Sequence, residues 1–296
     1  MSKMKYSGVE WIGDIPKSWN RIKVKNLCKS IFAGGTPSTD IDEYWGGNIP
    51  WIPSGACHDV YINDTDIFIT NKGLKNSSTK YIPSNTTLIA MTGATCGNTG
   101  FLTFDSCANQ SVTAFINDEN RLNSLYLFYA LQAARNYILT FQTGGAQAGI
   151  NVENCKNFII PIMKLKEQKL IADFLGEKIS NLDSILSDLN KQLEILDNYK
   201  ITLITEKVTK GLKNNVKLKK SKIEFLDKIP EHWKEIRTLK VLEMPITDGP
   251  HETPELFDEG IPFVSAEAVS YGNGKIDFNH IRGYISESYY KQCSKK

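Results

Sequence analysis

Apolar residues recur at alternating spacings of four and three in the middle of this chain. The series is Leu175, Ile179, Leu182, Leu186, Leu189, Leu193 and Leu196. Charged and amide side chains fill much of the sequence between them, which is typical of a coiled coil. The pattern predicts one helix over residues 166–210, roughly 65 Å long at 1.5 Å per residue. A helix of this length cannot bury its apolar seam against itself, so the seam is predicted to bind another helix.

Upstream of this helix, short apolar runs are separated by turn-forming residues. Residues 67–70, 86–90 and 111–115 are rich in β-branched and aromatic side chains and lie between groups of Gly, Asn, Pro and Ser. This arrangement predicts strands joined by turns. Apolar residues at three- and four-residue spacing from Leu122 to Ile138 predict one helix among the strands. The expected fold class is therefore α+β.

One segment of the chain occurs twice. Residues 10–19 and 224–233 carry Glu, Ile, Pro and Trp at the same four positions. Each copy is followed by an alternation of polar and apolar residues, at 21–25 and at 235–239, which predicts a half-buried strand. Further matched segments are residues 34–37 with 248–251 and residues 49–52 with 261–264. Three matches in the same order indicate two copies of one module.

The repeat and the helix divide the chain into four predicted parts. These are a first α+β domain at 1–160, the long helix at 161–210, a Lys-rich linker at 211–222 and a second copy of the domain at 223–296. Residues 207–222 contain seven lysines and no acid. Such a run is typical of a solvated linker, but it would equally suit sequence-independent contact with phosphates. Both readings stay open at this point.

Composition excludes fewer classes of protein than the pattern of apolar and polar residues does. The apolar fraction of 41% supports buried cores. The net charge of +2 is too close to neutral to indicate a nucleic-acid partner. No run of about 18 apolar residues and no signal peptide are found, so we expect a cytoplasmic protein without a membrane partner. The six cysteines form no C-x-x-C pair, so no metal site is predicted.

Catalytic motifs are missing from the sequence. It contains neither a phosphate-binding G-x-x-x-x-G-K-[ST] loop nor a dinucleotide G-x-G-x-x-G. It also lacks the Asn/Asp-Pro-Pro-Tyr/Phe tetrapeptide of amino-methyltransferases. Glu167 and Lys169 have the spacing of one nuclease signature, but an acid at a helix start is explained by the helix dipole. His58-Asp59 and His251-Glu252 lie in turn-rich loops, where a solvent-facing role is favoured. We therefore predict no catalytic residue and no cofactor.

The loops between the predicted strands are rich in small polar residues, lysines and aromatics. Their amide, hydroxyl and ammonium groups could bind base edges or phosphates, although the same residues are also ordinary turn formers. The candidate DNA-contacting residues are Thr36, Ser38, Lys72, Lys75, Asn76, Ser77, Lys80 and Gln147. A binding role is favoured for these loops because they occur together with a repeated module and a long helix.

Together, these features resemble the specificity subunits of type I restriction-modification systems. The residues that carry the resemblance are Ile15-Pro-Lys-Ser-Trp19, 73–79 with 81–83, 93–97, Asn109-Gln110, 145–147 with Ile150, and the helix entry at 160–172. They follow the order of the family across positions 1–220, and the second copy of the module begins where the family places it.

The resemblance implies a fold and a division of labour. Such subunits carry two α+β target-recognition domains, each of which reads one half of a split site in double-stranded DNA. Long antiparallel helices separate the domains. Methyltransferase subunits dock on these helices and supply S-adenosylmethionine chemistry, and restriction subunits supply ATP-driven translocation and cleavage. The specificity subunit itself is non-catalytic.

This sequence departs from the family pattern in its second domain. Counterparts of residues 93–97, Asn109-Gln110 and 145–147 are missing after residue 223, as is a second long helix. We therefore expect a chain truncated within its second recognition domain, or a half-subunit whose helix pairs antiparallel with that of a second copy. The alternative function is a coiled-coil interaction protein, or a remnant that binds methyltransferase subunits without reading DNA. A standalone nuclease is a more distant alternative.

Overall fold

A computed structural model describes most of the chain. The described residues are 3–144, 148–213, 215–243, 254–271 and 274–293. They form two compact units, residues 1–192 and 193–296, and the division falls inside the long helix. Strands and helices mix in both units, as the predicted α+β class requires.

The first unit contains twelve strands and the beginning of the long helix among its described residues. The strands are β1 (Met4–Tyr6), β2 (Asp14–Pro16), β3 (Asn20–Lys23), β4 (Cys28–Ala33), β5 (Trp45–Ile52), β6 (Val60–Ile62), β7 (Phe68–Ile69), β8 (Thr86–Ala90), β9 (Thr99–Leu102), β10 (Cys107–Ala108), β11 (Val112–Asn117) and β12 (Ile159–Ile162). The helices are α1 (Asn71–Lys75), α2 (Ser124–Ala133), α3 (Arg135–Leu139), α4 (Val152–Asn157) and α5 (Leu165–Lys210).

A five-stranded sheet lies at the centre of this unit, in the order β4-β11-β8-β9-β6. Both of its faces are covered, which explains why every residue of β8 is buried. Ile89 and Phe115 pack with α2 on one face, whereas Leu88 and Ala114 pack on the other face with Ile52 of β5. Successive strand residues point to opposite faces, so a fully apolar strand needs two cores.

The predicted local elements are confirmed here with small shifts. The runs at 67–70, 86–90 and 111–115 correspond to β7, β8 and β11. The helix predicted from Leu122 to Ile138 is present as α2 and α3, with a break at Ala134. Asn123 caps α2 by accepting a hydrogen bond of 2.9 Å from the Tyr126 amide, as asparagine commonly does at a helix start.

The long helix is confirmed as α5, with 46 residues. At 1.5 Å per residue this corresponds to roughly 69 Å. The helix ends at Gly211, whose φ of 78° is left-handed and whose amide donates to the Lys207 carbonyl at 3.0 Å. Glycine is the residue that adopts this C-terminal cap at the least cost.

The second unit contains four further strands and two short helices among its described residues. They are β13 (Leu218–Lys220), β14 (Lys228–Pro230), β15 (Ile261–Pro262), β16 (Tyr284–Ile285), α6 (Ala266–Tyr271) and α7 (Glu287–Cys293).

The two repeated segments of the sequence also share one pattern of hydrogen bonds. Met4 pairs with Pro16 in β1 and β2, and Leu218 pairs with Pro230 in β13 and β14, so the two hairpins correspond at one constant offset in residue number. The turn after each hairpin is closed by the same backbone hydrogen bond. The Trp19 amide donates to the Pro16 carbonyl and the Trp233 amide donates to the Pro230 carbonyl, both at 2.9 Å. The two segments therefore fold as copies of one structure.

The correspondence extends further along both copies. β5 pairs with β7 through Ile49 and Ile69, and β15 pairs with β16 through Ile261 and Ile285. In each copy the second strand of this pair is followed by a helix with a hydroxyl cap, from Thr70 before α1 and from Ser286 before α7. We call residues 4–75 the first copy and residues 218–291 the second copy.

The structure corrects two expectations for the second copy. Leu218–Lys220 is a strand that pairs with β14, so this part of the segment predicted as linker at 211–222 belongs to the opening hairpin. The strand predicted at 235–239 is not formed, and Thr238–Lys240 is instead a short 3-10 helix. The predicted match at 248–251 lies outside the described residues.

Candidate nucleic-acid interface

Several loops of the first unit meet at one end of the central sheet. β4 ends at Ala33 opposite Thr113, and β8 ends at Ala90 opposite Val112. The antiparallel register therefore places the residues after β4, after β8 and before β11 side by side. We call residues 34–40, 77–80, 91–98, 109–111, 143–144 and 148–149 the loop end of the domain.

Two glycines allow the loop end to pack closely. A Cβ atom on Gly34 would lie 2.1 Å from the Ala108 carbonyl oxygen, and one on Gly35 would lie 2.4 Å from the Thr79 amide nitrogen. Neither position can accept a larger residue without movement of the backbone. The Gly35 carbonyl accepts a hydrogen bond of 2.9 Å from the indole of buried Trp51, which fixes the start of the loop.

Thr36 belongs to a polar network at this end. Its hydroxyl accepts a hydrogen bond of 3.0 Å from the Asn109 side chain and donates to the amide oxygen of Gln110. Asn109 is held in turn, because its side-chain oxygen accepts from the Ser111 amide at 2.7 Å. Gln110 is exposed, and its amide nitrogen has no acceptor among the described residues. An oriented donor of this kind can bind an acceptor on a base edge.

Ser77, Lys80 and Ser38 also lie at the loop end. The Ser77 hydroxyl accepts a hydrogen bond of 3.4 Å from the amide of buried Thr79. The Lys80 ammonium lies 5.2 Å from the ring centroid of Phe32, within the range of a cation–π contact. The backbone carbonyl of Ser38 accepts a hydrogen bond of 3.0 Å from the Trp45 indole. The Ser38 side chain is exposed and takes no part in this bond.

The lysines of α1 differ in their surroundings. Lys72 forms an ion pair with Glu43, and the hydrogen bond between them lowers the pKa of the Glu43 carboxyl and raises the pKa of Lys72. Lys75 is exposed and has no partner among the described residues. The Asn76 side chain donates to the Lys72 carbonyl at 2.9 Å, so it closes the helix. Among these candidates, Lys75 is the one whose charge is available without breaking a contact.

Gln147 lies outside the described residues, but the stem of its loop is described. Gly149 pairs with Thr143 across the stem and with Thr92, just after β8. Ile150 then donates to the Met91 carbonyl at 2.9 Å. These contacts attach the stem to the same end of the sheet as Thr36 and Gln110.

The apolar seam of α5 divides into two parts. Leu175 and Ile179 pack against a cluster of Phe101, Phe128 and Tyr129 on the first unit itself. The remaining members are exposed, and they are Leu182, Leu186, Leu189, Leu193 and Leu196. A row of exposed leucines on one helix face is typical of a surface that binds another protein.

The sequence model of one family, the type I restriction modification DNA specificity domain, matches residues 16–195. This match covers more than half of the chain. The chain belongs to this family.

Individual members of the family are similar over much of the chain. The specificity subunit of type I restriction enzyme MjaVIII from Methanocaldococcus jannaschii is 25% identical over 259 residues, which cover 87% of this chain and 57% of that protein. The MjaIX specificity subunit from the same organism is 30% identical over 196 residues, or 65% of this chain and 44% of that protein. The chain spans about half the length of these curated relatives.

A solved structure has a similar fold. It comes from work on complex assembly and conformational transition of the type I R-M system, and its TM-score is 0.55 with 16% sequence identity. The similarity covers 69% of this chain and 48% of that chain. At this identity the likeness concerns the fold alone.

The acidic residues considered for catalysis have structural partners in this specificity domain. Glu167 accepts a hydrogen bond of 3.1 Å from the Trp19 indole. Asp59 accepts from both the amide and the hydroxyl of Thr99, at 2.8 and 3.0 Å, and lies 3.6 Å from Arg135. The described residues contain no group of three or more His, Cys, Asp or Glu side chains that could hold a metal ion.

The cysteines of the specificity domain are free thiols. Burial raises the pKa of Cys57 to about 12 and that of Cys155 to about 12, so both stay protonated at neutral pH. Across the part of the chain that the structure describes, no helix is long and apolar enough to span a membrane.

Two contributors to the site were not among the predicted contact residues. Asn109 and Gln110 were noted for their resemblance to the family but were not assigned a role. Both are far from Thr36 in the sequence, although the structure joins them by hydrogen bonds. A spacing pattern carries no sign of such a connection.

Proposed function

We propose that this chain is a DNA-binding specificity subunit whose loop end reads one part of a bipartite DNA site. Family membership over residues 16–195 carries this proposal. The convergence of Thr36, Ser77, Lys80 and Gln110 at one end of the central sheet supports it. Residues 1–160 serve as the first recognition domain, α5 within residues 161–210 as the spacer helix, and the residues after them as part of a second domain.

The proposed role is to select where partner enzymes act. Methyltransferase and restriction subunits would supply methylation and cleavage, and this chain would supply the choice of DNA sequence in the cytoplasm. The exposed part of the α5 seam is the proposed docking surface for another helix. An antiparallel pair formed with a second copy of the chain would bring two recognition domains to one DNA molecule.

The central test is modified-base sequencing of cells that co-express this chain with its cognate methyltransferase subunit. We expect a new methylated motif that is split into two parts. A palindromic motif would support pairing of two copies through α5. If no new motif is found although the complex forms, the proposal is wrong, and the alternative of an interaction protein without DNA reading takes its place.

Loss of two lysine charges should weaken DNA binding without changing its selectivity. In Lys75→Ala/Lys80→Ala, two candidate phosphate contacts are removed, and each phosphate contact contributes about 0.9 to the slope of log affinity against log salt. We expect the slope to fall by about 2 for all duplexes. Fluorescence anisotropy between roughly 50 and 200 mM salt measures it. Lys169→Ala is the control, since this exposed lysine lies on α5 away from the loop end, and an equal loss there would refute the assignment.

Loss of the Gln110 side-chain amide should reduce the selectivity of DNA binding and leave its salt dependence unchanged. Gln110→Ala is expected to lower affinity for the selected sequence by about tenfold, within the ~1–3 kcal/mol of a good base contact. The salt slope should stay unchanged. Asn120→Ala removes a similar exposed amide at the other end of the sheet, after β11, and should have no effect. Equal binding of selected and scrambled duplexes by the wild-type chain would rule out this role for Gln110.

A further inference from the structure

A groove lies at the end of the central sheet opposite the loop end. Its volume is about 520 Å³, which falls within the range of roughly 300–1,000 Å³ typical of sites that bind small molecules. Its walls include the first residue of β8, the last residue of β11 and the start of α2. The register of β8 with β11 places these segments away from Gln110 and the other residues of the loop end. We call this site the far groove.

Three polar side chains that line the far groove are buried. Thr86, Asn117 and Ser124 are 3%, 6% and 4% exposed. The Thr86 hydroxyl donates to the Pro83 carbonyl at 2.7 Å, and the Asn117 amide donates to the Ser124 hydroxyl at 3.1 Å. The Ser124 hydroxyl donates in turn to the Glu119 carboxylate at 2.5 Å. Because a hydroxyl has a single proton to donate, both hydroxyls can offer a ligand only acceptor lone pairs.

Glu119 makes the far groove anionic. Among the described residues that line the groove, it is the one with a formal charge. Its Oε1 accepts from Ser124, whereas its Oε2 has no hydrogen-bond or ion-pair partner in the described part of the chain. The hydrogen bonds from Asn117 to Ser124 and from Ser124 to Glu119 therefore hold the carboxylate and leave one oxygen free. A carboxylate held in this way favours a cation that carries N–H donors.

The rest of the lining is partly apolar. Phe101, Ile116 and Leu125 contribute side chains to the groove. Phe101 belongs to the aromatic cluster that packs against Leu175 of α5, so this wall is fixed by the core of the unit. A small inorganic cation would leave the apolar wall in water, whereas an aliphatic stem would cover it with a gain in free energy. The lining therefore fits an organic cation.

We propose that the far groove binds an ammonium or guanidinium group on an aliphatic stem. The cation would donate hydrogen bonds to Glu119 Oε2, and the stem would lie against Phe101 and Leu125. Free polyamines and the lysine and arginine side chains of proteins share this chemistry. The inference does not depend on the DNA-reading proposal, because the far groove and the loop end lie at opposite ends of the sheet.

The test is amide NMR of the isotope-labelled full chain titrated with agmatine, which carries a guanidinium and an ammonium group on an aliphatic stem. We expect saturable shifts at the amides of Asn117, Ser124 and Leu125. Ammonium chloride supplies the charge without the stem, and pentanol supplies the stem without the charge. Each should bind at least about tenfold more weakly than agmatine, because each loses one of the two contacts.

A blocked arginine, N-acetylarginine N-methylamide, distinguishes the two sources of the cation. Binding of the blocked arginine as tightly as agmatine would assign the far groove to a side chain of a partner protein. Binding of agmatine but not of the blocked arginine would assign it to a free polyamine. Both results support the proposal, since both place an organic cation at Glu119.

The variant for this test is Glu119→Gln, which removes the charge. A glutamine oxygen can still accept from Ser124, so circular dichroism should show unchanged folding. We expect agmatine to bind about tenfold more weakly, as for the loss of one charge-assisted hydrogen bond. The matched control is Glu10→Gln, which makes the same change at an exposed acid of the first unit outside the groove and should bind agmatine as the wild type does.

Several results would overturn the proposal. They are the absence of saturable shifts with agmatine, shifts confined to residues outside the far groove, and agmatine binding no tighter than that of pentanol or ammonium chloride. Equal loss of affinity in Glu119→Gln and Glu10→Gln would also overturn it, because the cation would then respond to the net charge of the protein rather than to the groove.

Discussion

Replacing Gln168 with leucine is expected to destabilise the first unit by about 3 to 5 kcal/mol, since several buried polar groups lose their partners at once. Gln168 is fully buried near the start of α5. Its amide nitrogen donates to the carbonyls of Arg121 and Met163, each at 3.0 Å, and its oxygen accepts from the Asn123 amide at 3.0 Å. The side chain therefore joins α5 to the segment that starts α2.

Urea denaturation followed by tryptophan fluorescence measures this effect. Four of the five tryptophans lie in the first unit, so the signal reports mainly on its unfolding. The control is Lys169→Leu, which introduces the same side chain at the exposed neighbouring position and should change stability by less than about 0.5 kcal/mol. If Gln168→Leu unfolds at the wild-type urea concentration, its hydrogen bonds do not hold the helix to the domain.

The second large effect is expected for the exposed seam of α5. In Leu186→Asp/Leu193→Asp, two carboxylates replace apolar contacts in the middle of the seam, and association should weaken by about 1,000-fold, or roughly 4 kcal/mol. Sedimentation equilibrium of the isolated chain measures self-association directly. We expect a concentration-dependent dimer for the wild type and only monomer for the double variant.

The control for the seam is Ser184→Asp/Asn198→Asp. Both residues are exposed and fall on the helix face opposite the seam, at the f positions of its heptads. They add the same charge to the same helix, so association should stay at the wild-type level. A wild-type chain that remains monomeric at all accessible concentrations would contradict pairing between copies and leave a methyltransferase subunit as the candidate partner for the seam.

Features that depend on neighbouring residues could be predicted from the sequence. The members of the seam follow one another closely from Leu175 to Leu196, and their periodicity predicted the bounds of α5 almost as the structure has them. β8 and β11 were found because continuous apolar runs bounded by turn residues are typical of strands buried on both faces. The repeat was visible because its two copies keep Glu, Ile, Pro and Trp at the same four positions around Pro16 and Pro230.

Features that depend on distant contacts could not be predicted in this way. Leu175 and Ile179 fit the heptad as well as the other seam residues do, but they pack on the aromatic cluster of their own unit. Gln168 looks like any polar residue of a long helix until the α2 segment is placed beside it. The strand expected at 235–239 has the right alternation, but a strand also needs a partner, and the local sequence does not report one.

The close packing at the loop end depends on a few residues that hold the loops in place, whereas other residues nearby are exposed. Gly34, Gly35 and Asn109 hold the loops through backbone contacts and hydrogen bonds. Ser38 and Lys75 are exposed and contribute little to that scaffold. The exposed side chains can therefore be exchanged while the fold keeps its stability. If the loop end reads DNA as proposed, a domain of this design has room to acquire a new target sequence by point substitution.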